Sequence, residues 1–346
     1  MEIIILTDYH GFFGSKWKSQ PYRSGYDQTM LAELFAGYGV QTRFMRMSEV
    51  QFVDIDWRDR VVLYTSNEDP GYHYKAFIED VVYDLKLRGA MLVPPFEMLR
   101  ANNNKTFMEM HGRRVLQGRA EIIPSMQFGA LEDLDAHIDA VEFPCVFKTA
   151  GGALSRGVRL VRNRDELYRL VKKMCATMGA KERLHELGRQ KKHMGYSPVS
   201  SHQRKFILQK FIPGLGNDWK VLVYGDQIYT LKRHVRKDDF RASGSGVDYK
   251  PGSESGFPLH VLDNLMEIMH AFDVPNLSLD VAYGDGKPYI FEYQGIYYGT
   301  STQYKSKDYF FKQDGQWVSL PTTMNQEEVF VWSIALYLRR KGLLAE

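Results

Sequence analysis

Residues 276–299, NLSLDVAYGDGKPYIFEYQGIYYG, restrict the fold of this chain most, because they read as a hairpin that sets carboxylates against each other. Residues 277–282 alternate apolar with other side chains, Tyr283-Gly-Asp-Gly286 supplies turn chemistry, and residues 288–293 resume an apolar, aromatic run. Folding the chain about residue 285 or 286 sets Asp280 opposite Glu292, and the strand period of two puts Gln294 on the same face as Glu292. Two like charges about 5 Å apart repel by roughly 3 kcal/mol at an effective dielectric near 20, so something cationic is expected between them. Carboxylate and amide oxygens on a rigid hairpin are the ligand set of a hard cation such as Mg²⁺, which takes one or two protein carboxylates and fills its shell with phosphate oxygens and water. On that reading either Asp280→Asn or Glu292→Gln abolishes turnover and leaves the fold intact or slightly more stable without metal. Incidental acids on a solvated hairpin are the bland alternative.

At 346 residues the chain can bury a large core and divide into two or three domains. Its 44% hydrophobic, 13% aromatic and 25% charged residues are those of a folded soluble protein. No stretch approaches 18 uninterrupted apolar residues, and the start MEIIILTDYH has neither a basic leader nor a small-residue cleavage site, so a cytoplasmic protein without a membrane span is expected. Two cysteines, Cys145 and Cys175, cannot build a Cys-rich metal site. The net charge of +3 argues against nucleic acid as the main partner, but residues 172–205 hold nine Lys or Arg against Glu182 and Glu186. That segment carries +7 and leaves −4 elsewhere. It reads as a solvated insertion or as a contact surface for an anionic substrate, carrier or partner.

Along the chain, strand-like residues 3–7, a helical pattern at 24–38, strands at 41–46 and 60–65, a helix at 72–88 and a strand at 90–93 alternate as in a parallel α/β layer domain. The long loop 8–23 follows the carboxyl end of the first strand, where ligands bind in such sheets, making Lys16, Lys18, Tyr22 and Arg23 contact candidates. Asn102-Asn-Asn-Lys105 opens a helix with a lysine that the helix dipole disfavours unless an anion shares the site. FPCVFKTAGGALSRGVRLV is a strand with Lys148, a glycine-rich turn over residues 151–157 and a second strand, a turn whose amides can cover phosphates. Asn163 with Glu166 opens a helix, residues 206–212 form a strand, 219–223 and 227–233 a hairpin, and Asn325 with Glu328 caps a terminal helix. KRHVRKDDFRASGSG between them is strongly basic, which suits a phosphate or carboxylate.

In this order the pieces resemble the ATP-grasp superfamily over residues 102–302: Lys105 at a helix start, PCVFK before GGALSRGV, LQKFIPG with Asp218 downstream, KRHVRKDDFR, and D-x11-E-x-Q at Asp280, Glu292 and Gln294. The resemblance implies an α/β fold of three parts: an amino-terminal parallel α/β domain (1–101), a first ATP-grasp subdomain with lid and basic insertion (102–208), and a second with the metal hairpin (209–346). It further implies that Lys105 and Lys148 hold ATP phosphates while Gly151, Gly152, Ser155 and Gly157 close over them. Gln209, Lys210, Phe211 and Ile212 would line the adenine and Asp218 would approach the ribose. Arg233 and Arg241 would serve the transferred phosphoryl group or the acid, and Asp280, Glu292 and Gln294 would hold Mg²⁺, or Mn²⁺ in its place. The family usually has Asn where this chain has Gln294. DFR at 239–241 looks most like ligases of the ribosomal-protein-S6 glutamate ligase type, which add amino acids to peptide or protein carboxylates.

The chemistry implied is an ADP-forming carboxylate–amine ligase working through an acyl phosphate, with a carboxylate and an amine as substrates and with self-association left open. An ATP-grasp kinase, a thioester-forming ligase, an inactive nucleotide-binding scaffold and a nucleic-acid binder are the alternatives. No Ser-His-Asp or Cys-His arrangement competes with this reading.

Overall fold

The β-branched run at the amino terminus becomes β1 (Glu2–Thr7), buried from Ile3 onward in a computed structural model that describes residues 1–152, 157–235, 248–284 and 287–345. Strand β1 lies between β2 (Gln41–Arg46) and β3 (Val61–Tyr64), with β4 (Met91–Val93) beyond β3, all parallel. A strand covered on both faces has to be apolar throughout, which is why Ile3-Ile4-Ile5-Leu6 shows no alternation. The helices supply the cover. Leu31 and Phe35 of α1 (Gln28–Gly37) pack with Ile3 and Ile5, and Ile78, Val82 and Leu85 of α2 (His73–Leu87) pack with Ile4 and Leu6. The short helix α3 (Phe96–Ala101) follows β4, and α4 (Lys105–Val115) follows it.

The next sheet is antiparallel: β5 (Ser125–Phe128), β6 (Cys145–Thr149), β7 (Val158–Val161) and β8 (Phe206–Lys210), in the order β5-β8-β6-β7. Phe147, Phe206 and Leu208 face α5 (Leu131–His137) and α6 (Arg164–Met174), meeting Leu134, Leu167 and Val171. Asn163 caps α6 by accepting from Glu166 N at 2.9 Å. The basic segment holds α7 (Ala180–Lys192), of which Glu186 is the buried residue. Its carboxylate accepts from Tyr196 Oη at 2.7 Å and Val199 N at 3.0 Å, folding the following loop back on the helix.

The remaining strands are β9 (Asn217–Tyr224), β10 (Gln227–His234), β11 (Lys250–Pro251), β12 (Asn276–Gly284), β13 (Lys287–Gln294), β14 (Asp308–Gln313) and β15 (Gln316–Pro321), with helices α8 (Leu262–Ala271), α9 (Ser301–Lys305) and α10 (Gln326–Arg340). They make an antiparallel sheet of order β13-β12-β9-β10-β14-β15, with β11 beside β10. The β14–β15 hairpin turns on Asp314 and Gly315, both with positive φ (50° and 79°), the backbone of a primed two-residue turn. Asn325 caps α10 reciprocally with Glu328, as its spacing predicts. Phe330, Ile334 and Leu338 of α10 join the core around Ile3 and Phe35.

The chain thereby packs into two compact units. Residues Met1–Asn102, His111–Ile122 and Gly216–Glu346 form one, and Asn103–Met110 with Ile123–Leu215 form the other. Packing of α10 on the β1 sheet joins the first and last of the three sequence parts 1–101, 102–208 and 209–346 in one unit, and that three-part division stands as a proposal about independently folding segments. No helix among the described residues is long and apolar enough to cross a membrane.

Candidate functional site

In the first unit, β12 and β13 pair with Asp280 opposite Glu292 and Ser278 opposite Gln294, and the register shifts by a bulge just after Asp280. The turn residues Asp285 and Gly286 lie outside the described residues. On its other edge β12 sets Asp280 against Lys220 of β9, and β9 sets Asp218 against Arg233 of β10. Alternation therefore gathers Asp218, Lys220, Arg233, Asp280 and Glu292 at one end of a single sheet face. The other end of that face carries Leu222, Tyr224 and Tyr229, packed with Tyr298 and Val329.

Two protein cations stand beside Asp280, and none among the described residues pairs with Glu292. Arg233 grips Asp218 with two hydrogen bonds, Nε to Oδ1 at 2.6 Å and Nη2 to Oδ2 at 2.8 Å, and its Nη2 lies 3.2 Å from Asp280 Oδ1. Lys220 Nζ lies 3.1 Å from the same oxygen. Both approach Asp280 Oδ1 as ion pairs outside hydrogen-bond geometry, leaving that buried oxygen with an unused acceptor direction. Burial would raise Asp280, but Arg233 and Lys220 override it and hold the carboxyl at about 2. Burial raises Asp218 to about 6 against the pull of Arg233, and the neighbouring Asp280 charge adds to the rise. Arg233 is desolvated too, yet Asp280 and Asp218 push its own value up. The expectation that Asp280→Asn leaves the fold intact or more stable is thus corrected: the substitution strips a buried partner from two cations rather than relieving a repulsion.

Glu292 differs from Asp280. It is half-buried, accepts from Gln294 Nε2 at 3.2 Å, and has no Lys or Arg partner among the described residues. The amide orientation leaves Gln294 Oε1 free of that bond, and Ser278 Oγ beside it is buried with no hydrogen-bond partner. No group of three His, Cys, Asp or Glu that could hold a metal occurs among the described residues. Two carboxylates, one with an unused acceptor direction, and an amide oxygen nonetheless fit a hard cation that draws its other ligands from phosphate and water.

In the second unit, the face of the antiparallel sheet opposite its apolar core carries Ser125, Gln127, Lys148 and Gln209. Lys148 and Gln209 are buried there. Gln209 Nε2 donates to Glu109 Oε1 at 3.1 Å, and Ser125 Oγ donates to Glu109 Oε2 at 3.0 Å, so the glutamine proposed for adenine is oriented by an acid of α4. Lys105, the first residue of α4 and also buried, donates from its backbone N to Ala150 O and from Nζ to Gly152 O, each at 2.9 Å. The lysine thus holds the entry of the glycine-rich turn. Thr149 N donates to Gly157 O at 3.1 Å, closing the base of that turn, and a Cβ on Gly157 would meet Thr149 Oγ1 at 1.9 Å. Gly152 has φ +112°, which favours glycine, and Thr149 Oγ1 donates to the Gly151 carbonyl at 2.9 Å. Lys210 is exposed at the end of β8, and Phe211 and Ile212 follow it, half-buried.

Ser155 and Arg241 lie outside the described residues, as does DFR at 239–241. Of the loop after β1, Lys16 is bound to buried Glu327 at 2.5 Å and Lys18 to Tyr304 Oη at 2.9 Å, while Tyr22 is exposed and Arg23 stacks on its ring. Lys220, Glu109 and Ser278 were not singled out by sequence. Lys220 carries a readable signal, since it stands two residues after Asp218 on a strand and so shares its face. Glu109 and Ser278 acquire their positions only through pairing across the fold.

Neither a protein-family model nor a curated protein matches the sequence. Solved structures do resemble it. The chain is similar to a D-alanine--D-alanine ligase from Bacillus anthracis, with 14% identity and a TM-score of 0.51 over 99% of both chains. The ATP complex of that enzyme gives 14% identity and a TM-score of 0.50 over 99% of this chain and 98% of that one. The D-cycloserine synthetase DcsG gives 14% identity and a TM-score of 0.52 over 96% of this chain and 98% of the other.

Proposed function

We propose, from the premise that this chain has the ATP-grasp fold, that it is an ADP-forming carboxylate–amine ligase. The lysines Lys105 and Lys148, with the glycine-rich turn, would hold the phosphates of ATP, and Gln209, Lys210, Phe211 and Ile212 would receive the base. Asp280, Glu292 and Gln294 would hold Mg²⁺ or Mn²⁺, which when bound neutralises phosphate charge. In this reading a carboxylate oxygen of the acid attacks the γ-phosphorus and ADP departs. An amine then attacks the acyl carbon, inorganic phosphate leaves, and the amine gives up a proton. The protein's part is positioning and charge neutralisation. Arg233 fixes Asp218 and Asp280 and, with Arg241, would counter the charge of the transferred group. Asp218 is proposed to reach the ribose only if it exchanges its bidentate hold on Arg233, so we assign it first to orienting that arginine.

The observation that carries the reading is Glu292, a half-buried carboxylate with no Lys or Arg partner among the described residues, beside an Asp280 that has two. The basic segment around α7 is proposed to contact an anionic or carrier-borne substrate. Calorimetry tests the nucleotide half. ATP with Mg²⁺ is expected to bind saturably to the wild type, and Lys148→Ala to weaken it by about tenfold to a hundredfold, the loss of a hydrogen bond to a charged group. Absent ATP heat in a folded sample, or an unchanged affinity in the variant, removes the reading.

A further inference from the structure

Beyond the charged cluster, the first unit contains a cavity with mainly aromatic and apolar walls, open on one side. Phe13, Tyr26, Tyr64 and Phe330 form one part of its lining, and the segment after β13, Gly295 to Tyr298, forms another. The enclosed space has room for roughly three water molecules at about 10–15 Å³ each. Three features tie it to the site described above. Gly295 on its wall is the residue after Gln294, one Cα step of about 3.8 Å away, and Glu292 is about 10 Å back along the extended strand. Asn276, also on the wall, lies on the same face of β12 as Ser278 and Asp280, so cavity and charged cluster share one surface of the sheet. Tyr297 on the wall has φ +51°, a conformation unfavourable for a bulky residue and one that concentrates at ligand sites.

Hydrogen bonds hold part of the remaining wall. Tyr298 Oη donates to Asn276 Oδ1 at 2.8 Å, and Tyr64 Oη to Pro94 O at 2.7 Å, so these hydroxyls are spent on the frame and the space they bound is apolar. A Cβ on Gly14 would meet the Tyr26 ring at 2.5 Å, which fixes that ring's seat.

We propose that this cavity receives an aliphatic side chain of three or four carbons belonging to the acid whose carboxylate is activated, and so selects substrates of valine or leucine size. The inference rests on the ligase reading for the carboxylate end, and on the cavity alone for the side chain. In the ligase reading the carboxylate of an acid seated here would lie on the Gly295 side of the cavity, next to Gln294, whereas a phenyl ring is larger than the enclosed space and a hydrogen or methyl leaves it unfilled.

The experiment uses the full chain with glycine, alanine, valine, leucine and phenylalanine and their des-amino acids as probes, in two readouts. Saturation-transfer NMR reads binding, and ADP with hydroxamate formation in hydroxylamine reads activation. Valine- or leucine-sized probes should bind at least tenfold tighter than glycine- or phenylalanine-sized ones. Val93→Ile, which adds one methylene to the wall, should move the optimum down in size, and Phe330→Leu should move it up. Binding that ignores side-chain size, or an optimum that neither variant shifts, overturns the cavity proposal even where hydroxamate forms. Size-selective binding without ADP or hydroxamate leaves the cavity standing and removes the ligase reading.

Discussion

The two candidate regions hold their charges in opposite ways. In the first unit, Asp218 and Asp280 are matched to Arg233 and Lys220, charge against charge in buried surroundings. In the second, the buried Lys105 gives its ammonium to the carbonyl of Gly152, a neutral acceptor on a glycine turn. A buried ion pair that loses one member leaves an uncompensated charge, whereas a lysine bonded to a backbone carbonyl can exchange it for a phosphate oxygen without stranding a countercharge. Losing a partner is therefore expected to cost more among the acids and cations of the first unit than at the lysine of the second.

That contrast is sharpest within the hairpin itself. Asp280→Asn is expected to destabilise the protein by about 3–5 kcal/mol, because Arg233 and Lys220 then share Asp218 alone. Denaturant unfolding measures it, and a change below about 1 kcal/mol would break the contrast. The same pair has a pH signature. Asp280 titrates below its unfolded value, so its stabilisation is present above about pH 4 and lost as pH falls toward 2. The stability gap between wild type and Asp280→Asn should close across that window. Glu292→Gln should stay within about 0.5 kcal/mol of wild type in stability while turnover disappears, since no Lys or Arg among the described residues depends on it. Turnover retained at the wild-type rate would remove Glu292 from the metal site.

The smallest effect belongs to the basic segment. Leu184 and Leu187 of α7 are exposed among its Lys and Arg residues, as is Met194 just beyond it, so this surface is spent on no internal core. Shortening it should raise the KM of the acid several-fold and leave the KM of ATP in place. The reverse pattern, or no change, would return the segment to a solvated insertion.

Much of this was legible beforehand because it depends on local pattern. The alternation of strands and helices through β4 follows from periodicity, whereas the pairing of Gly284 with Lys287 would by itself set Asp280 opposite Phe291, and the bulge after Asp280 is what brings Glu292 opposite it. The hairpin at Asp314-Gly315 had a two-residue turn signal in DYFFKQDGQWVSLP and went unread. Strand β5 and helix α5 are too short to show a period, and α7 was masked by its polarity although AKERLHELGRQKK is rich in helix formers. The pairing of Asp280 with Lys220 could not be read, since it depends on which strands become neighbours across 60 residues of chain, whereas that of Asp218 with Arg233 lies within the hairpin already expected at 219–233. That neighbourhood reverses the predicted effect of Asp280→Asn and keeps the one for Glu292→Gln.

In the proposed reaction a terminal phosphate passes from ATP to a carboxylate. Incubating the full chain with ATP, Mg²⁺, a library of candidate acids and concentrated hydroxylamine, with both nucleotide products and hydroxamate quantified, tests it most directly. An acid-dependent hydroxamate formed together with ADP and phosphate is expected. AMP and pyrophosphate, or a phosphorylated hydroxyl with no hydroxamate, would contradict it.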